Sequence, residues 1–121
     1  MTQNYKELEV WKKSHQFVLN VYRLTKNFPK EEMYGLTSQF RRAAVSIAAN
    51  LAEGYGKKGK RDKLRFFNIS EGSVQECDYY ILLAENLQYL STDSGLKNEI
   101  IIIGKMLKGY MKAIEVNLDK T

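Results

Sequence analysis

The 121-residue chain has one cysteine and one histidine, and each scarcity excludes something. A lone cysteine, Cys77, can form no internal disulfide and supplies far too few thiols for a metal cluster. With no His or Lys adjoining it in sequence, it is expected to be a small core residue. A lone histidine, His15, cannot provide the paired Glu-x-x-His motifs of a di-iron bundle within one subunit. It is expected to be a hydrogen-bonded core residue. Long apolar runs are missing too. Runs such as 100–103 fall far short of the roughly 18 residues that suggest a membrane span, and the N-terminal MTQNYKELEV carries charge where a signal peptide has its apolar stretch. The expected location is cytoplasmic, with no membrane partner.

A content of 44% hydrophobic residues is enough to bury one core, so a single domain over 1–121 is expected. Helical periodicity runs through most of the chain. Leu8, Trp11, His15, Val18 and Tyr22 recur at spacings of three and four, with Val10, Ser14, Phe17, Val21 and Leu24 as a second stripe beside them. This predicts a helix over about 6–27, stopped by Phe28-Pro29 because proline cannot continue it. Phe40, Ala44, Ile47 and Leu51 mark a second helix, about 37–54, capped by Thr37 or Ser38 and ended by Gly54 and Gly56 in left-handed conformations. Its alanines, at 43, 48, 49 and 52, permit unusually close approach of neighbours.

A third helix, about 62–90, is predicted to start at the capping residue Asp62, with Phe67, Ser70, Val74, Cys77, Ile81 and Ala84 as its core stripe. Phe66 is assigned to the core with Phe67. Gly72 in its interior costs about 1 kcal/mol relative to alanine, and close helix approach is the expected compensation. A fourth helix, about 94–118, presents Leu96, Ile100, Ile103, Leu107, Tyr110 and Ile114 on one face. Short turns between four such helices imply an all-α, antiparallel up-and-down four-helix bundle.

The net charge of +5 is unevenly distributed. The segments 1–56, 57–65 and 66–121 carry +3, +5 and −3, so the excess equals what nine residues hold. Those nine contain Lys57, Lys58, Lys60, Arg61, Lys63 and Arg65 against Asp62 alone, and such a patch predicts an acidic partner such as RNA or DNA. Free amides at the start of the third helix would help to hold a phosphate. Arg41 and Arg42 have two readings: ion pairs to Glu53, Glu76 or Asp78, or further phosphate contacts.

Gly54-Tyr55-Gly56-Lys57-Lys58-Gly59-Lys60 fits the skeleton of a phosphate-binding loop. It fails on two counts: Arg61 stands where a Ser or Thr must reach magnesium, and the loop follows a helix instead of a strand. No nucleophilic triad is aimed by sequence, because Cys77 and His15 lie in different helices. The chain is therefore expected to be non-catalytic, with no cofactor and no metal.

The string Tyr34-Gly-Leu-Thr-Ser-Gln-Phe-Arg-Arg-Ala-Ala-Val-Ser-Ile, followed by Asn50-Leu-Ala-Glu-Gly54, resembles the bacterial four-helix-bundle family of ribosomal RNA intervening-sequence proteins. Leu8-Glu-Val-Trp11, Tyr22-Arg-Leu-Thr25, Phe28-Pro29 and Gly72-Ser73 ahead of Glu76 carry the same resemblance, in the same order. Ala48 departs from it, since the family commonly has proline there. The resemblance implies kinship with the accessory variability determinant of diversity-generating retroelements, a homopentamer that binds nucleic acid and partners a reverse transcriptase. It thus implies a homo-oligomer, most simply a pentamer, and makes a reverse transcriptase a candidate partner. A protein-interaction scaffold with no nucleic-acid role is the alternative, because fold does not fix function.

Overall fold

A computed structural model describes residues 4–119, with side chains described to residue 116. It contains four α-helices: α1 (Glu9–Thr25), α2 (Leu36–Tyr55), α3 (Lys60–Asn86) and α4 (Leu96–Asp119). Each packs on two neighbours, α1 on α2, α2 on α3, α3 on α4 and α4 back on α1, which closes a four-helix bundle. No helix among the described residues is long and apolar enough to cross a membrane.

The helix ends differ from expectation for local physical reasons. Tyr5–Glu7 forms a separate 3-10 turn capped by the Asn4 side chain, and extended backbone at Leu8 delays α1 to Glu9. Neither Thr37 nor Ser38 caps α2. The 3-10 turn Lys30–Glu32 instead delivers Glu32, whose Oε1 accepts the Leu36 N–H at 3.1 Å, while Thr37 is buried. A carboxylate there also suits the positive end of the helix dipole. α2 runs unbroken through Ala48 and ends at a right-handed Gly56, with φ −76°. The left-handed ending expected for Gly54 and Gly56 is therefore absent. α3 starts two residues before Asp62, since Lys60 and Arg61 are good helix formers and extended Gly59 precedes them. It stops at Asn86, four residues earlier than expected, where Gln88 turns left-handed at φ 64° and Tyr89 N–H reaches back to Ala84 O at 2.9 Å.

The core follows the predicted stripes on three helices. Phe40, Ala44, Ile47 and Leu51 of α2 are fully buried, as are Phe67, Ser70, Cys77, Ile81 and Ala84 of α3 and Leu96 and Leu107 of α4. On α1 the innermost row is Val10, Ser14, Phe17 and Val21, whereas His15 and Tyr22 are exposed and Trp11 is half-buried. His15 makes no hydrogen bond among the described residues. It stacks flat on Trp11, ring centroids 4.9 Å apart and planes 8° apart, which corrects the core assignment. Both α1 stripes are apolar, and packing buries most deeply the one carrying Phe17, whose ring centre lies 6.5 Å from that of Phe40 on α2.

The α2/α3 seam is close because its residues are small and its hydroxyls are satisfied across it. Ser70 Oγ donates to Ile47 O at 2.9 Å, and Ser73 and Ser46 share a hydrogen bond at 2.8 Å. A Cβ on Gly54 would lie 2.7 Å from Phe67 Cε1, so α3 lies too close here for a side chain. Gly72 has no such role. It is exposed, and a Cβ there would meet nothing within 4 Å.

Candidate nucleic-acid interface

Only 56–59 lies between α2 and α3, so most of the basic segment is helical. The fold then divides its six cations into two groups. Lys63 Nζ donates to the carbonyl of Tyr55 at 2.7 Å and to that of Gly54 at 3.4 Å, and it sits 5.3 Å from the Tyr55 ring centre. It caps the carbonyl end of α2, where a cation is favoured, and burial lowers its pKa from the usual lysine value. Lys57 lies 3.6 Å from Glu53 Oε2 and 5.1 Å from the centre of the Phe66 ring. Arg65 stands 4.6 Å from the same ring centre, with Nε 3.9 Å from Asp62. Phe66 is therefore a half-buried platform for two cations, whereas Phe67 is core.

Lys58, Lys60 and Arg61 form the other group. All three are exposed and, among the described residues, make no ion pair. No side chain caps the first turn of α3 beside them, so its amides remain open to solvent or to an anion. These three cations and that helix start form the part of the predicted site that is free to act on a ligand.

Arg41 and Arg42 are not brought to this patch. Arg41 lies fourteen residues before the end of α2 at Tyr55, a rise of about 21 Å, and Lys57 follows that end. Arg41 Nε donates to Thr25 Oγ1 at 2.8 Å, and its guanidinium stacks on Tyr22 at 4.7 Å. Neither Glu53, Glu76 nor Asp78 pairs with it. Glu53 serves Lys57, and Asp78 is bonded to Lys97 of α4. Arg41 thus joins α2 to the end of α1, a structural role built from stacking and a hydroxyl instead of a carboxylate. Arg42 is exposed beside a cleft of about 300 Å³ that also touches Gln39, Ser46, Glu76 and Tyr80, without an ion pair among the described residues.

Sequence reasoning passed over a second basic feature. Lys105, Lys108 and Lys112 of α4 recur at spacings of three and four and are all exposed. Their signal was helical spacing, which a count of charge along the chain hides. Cys77 lies in the core, where burial raises its thiol pKa, chiefly through desolvation and secondarily through Glu76.

The model of the family described as 23S rRNA-intervening sequence protein matches residues 6–109. Among solved structures, the chain is similar to a protein of unknown function from the S23 ribosomal protein family of Bacteroides thetaiotaomicron. The two are 23% identical, the match covers 85% of this chain and 98% of that one, and the TM-score is 0.77. That likeness is one of fold. No curated protein matches the chain.

Proposed function

This chain belongs to the family of 23S rRNA-intervening sequence proteins, and we propose that it is a non-catalytic, oligomeric protein that binds nucleic acid with little sequence preference. The observation that carries the reading is the cluster of Lys58, Lys60 and Arg61, exposed and without acidic partners, beside the uncapped start of α3. Lysine and arginine there supply phosphate contacts, which position a nucleic acid without reading its bases. The nearby rings support the same mode. Phe66 is engaged by Lys57 and Arg65, and Tyr55 by Lys63, which leaves little for base stacking.

Oligomerisation is supported by an apolar groove of about 330 Å³ between α1 and α2, lined by Trp11, His15, Val45, Ala48, Ala49 and Ala52. We propose that a second copy covers it and that the assembly is a homopentamer, as the family resemblance implied. Sedimentation equilibrium at micromolar concentration checks this, with about five subunits expected and a clean monomer refuting it.

Nucleic-acid binding is tested by titrating RNA and DNA against protein over a range of salt. Replacing Lys58, Lys60 and Arg61 together by glutamine is expected to flatten the slope of log affinity against log salt by up to about 2.7 per engaged subunit on duplex DNA. Absence of wild-type binding at about 50 mM salt, where weak phosphate contacts still register, would refute the reading and leave the scaffold role in its place.

A further inference from the structure

The lysines of α4 lie along one edge of the bundle that also receives the start of α3. Lys105, Lys108 and Lys112 share a side of α4 by their spacing, and Lys97 and Ile101 continue that row toward the helix start. The row borders a cleft of about 250 Å³ between α3 and α4, lined among others by Gln75, Asp78, Lys97, Lys105 and Lys108.

Three contacts fix how the two helices align. Lys97 bonds to Asp78, a Cβ on Gly104 would lie 3.5 Å from Val74 Cγ1, and the rings of Tyr110 and Phe67 are 5.3 Å apart. As α4 advances, its partners on α3 move back toward Lys60, so Lys112 comes level with the first turns of α3. Lys60, Leu64, Glu71 and Asp78 follow at spacings of four and seven, which puts Lys60 on the side of α3 that faces α4. The acids on this edge are Asp78, already engaged by Lys97, Glu71 on α3, and Glu115 at the end of the α4 row, three residues after Lys112. Among the described residues, none of Lys105, Lys108 and Lys112 is in an ion pair.

We infer that this α3/α4 edge is a linear phosphate track on which a double-helical nucleic acid lies along α4, with Lys60 and Arg61 at one end. The inference rests on the nucleic-acid reading above and extends it to a substrate shape. From Lys105 to Lys112 the helix rises about 10 Å, or about three base-pair steps of one strand at 3.4 Å each. The cations stand on a rigid helix, so their spacing is fixed before binding, which suits a stiff partner. A single strand would gain most from rings on which bases stack, and the rings beside the basic segment already hold cations.

The test compares fluorescence anisotropy of wild type and three triple variants with a duplex of about 20 base pairs over roughly 50 to 200 mM salt, the range in which phosphate contacts dominate. The variants are Lys105→Gln/Lys108→Gln/Lys112→Gln on α4, Lys58→Gln/Lys60→Gln/Arg61→Gln at the start of α3, and Lys13→Gln/Arg23→Gln/Lys26→Gln on α1 and its end as a charge-matched control. Glutamine keeps helix propensity close to that of lysine, and circular dichroism checks folding. The α4 variant is expected to weaken duplex binding about tenfold or more at the lowest salt and to lower the slope by up to about 2.7, while the control leaves the slope unchanged. Lys108→Gln alone should lower it by about 0.9.

An α4 variant that behaves like the control overturns the track. If the α3 variant still loses affinity in that case, the earlier reading stands. Tighter binding of a single strand of equal length, unaffected by the α4 variant, also overturns it. Wild type that binds no duplex removes both readings.

Discussion

Two glycines in this bundle should respond to alanine with opposite signs, because one lies under a neighbouring helix and the other faces open space. At Gly54 a Cβ would sit 2.7 Å from Phe67 Cε1, 3.0 Å from Phe67 Cδ1 and 3.0 Å from Phe66 Cβ. None of these atoms can yield easily. Phe67 is fully buried and packed edge-on against Tyr110, and Phe66 Cβ is tied to the backbone of α3. Inserting a methyl group into such a contact costs about 1 to 3 kcal/mol, set against up to about 1 kcal/mol gained from helix propensity. With the full propensity gain, the expected net for Gly54→Ala is a loss of up to about 2 kcal/mol. Gly72→Ala meets nothing within 4 Å, keeps the propensity term, and should stabilise by about 0.5 to 1 kcal/mol. Urea denaturation of both variants at one protein concentration measures the difference directly, and melting temperatures should separate by several degrees at about 4 °C per kcal/mol. Gly54→Ala at or above wild-type stability would refute the packing argument. A Gly72→Ala variant that loses stability or mass would show that the outer face of α3 is covered in the assembly.

Two further predictions separate structure from binding. Arg41→Lys keeps the charge but loses the stack on Tyr22 and the fixed bond to Thr25; it should cost about 1 kcal/mol and leave the salt slope unchanged, whereas a flattened slope would return Arg41 to the interface. Cys77 should resist alkylation in the native state, because burial removes access and raises its pKa. Modification should therefore track unfolding in a urea series, and fast native labelling would refute the core assignment. The sign for stability follows: the fold favours the neutral thiol, so this contribution is complete below the ordinary thiol pKa of about 8.5 and is lost progressively as pH rises above it.

Helical period made most of the fold legible. The rows Phe40 to Leu51 and Phe67 to Ala84 combine apolar spacing with small residues, and both proved to be core. α1 was ambiguous because two adjacent rows are apolar; tertiary packing buries Phe17 and Val21 most deeply and leaves His15 and Tyr22 exposed. Gly72 misled in a similar way. An interior glycine signals either close approach or nothing, and the contact that needs a glycine belongs to Gly54, near a helix end where sequence offered termination as its explanation. Helix ends were least legible, since Glu32 caps α2 from a preceding turn and Gln88 closes α3 without glycine.

The candidate site was legible as a concentration of charge but not as a set of free groups. Whether Lys57, Lys63 and Arg65 can meet a phosphate depends on Glu53, the Tyr55 carbonyl and Asp62, and helix geometry rather than composition decides those partnerships. The α4 lysines show the converse error. The net of −3 over 66–121 conceals them because several of the acids there lie on other faces. Glu99 accepts a hydrogen bond from Asn20 of α1, and Glu76 borders the Arg42 cleft on the α2 side. A ligand samples the potential of one surface, and screening over about 10 Å at ordinary salt weakens the influence of charge on the far side of a bundle. Charge on a helical protein therefore has to be counted by face. On the α3/α4 edge that count sets Lys97, Lys105, Lys108 and Lys112 against Glu71, Asp78 and Glu115, so an acidic half of the sequence still presents three lysines with no ion pair among the described residues, which is what the α4 substitutions probe.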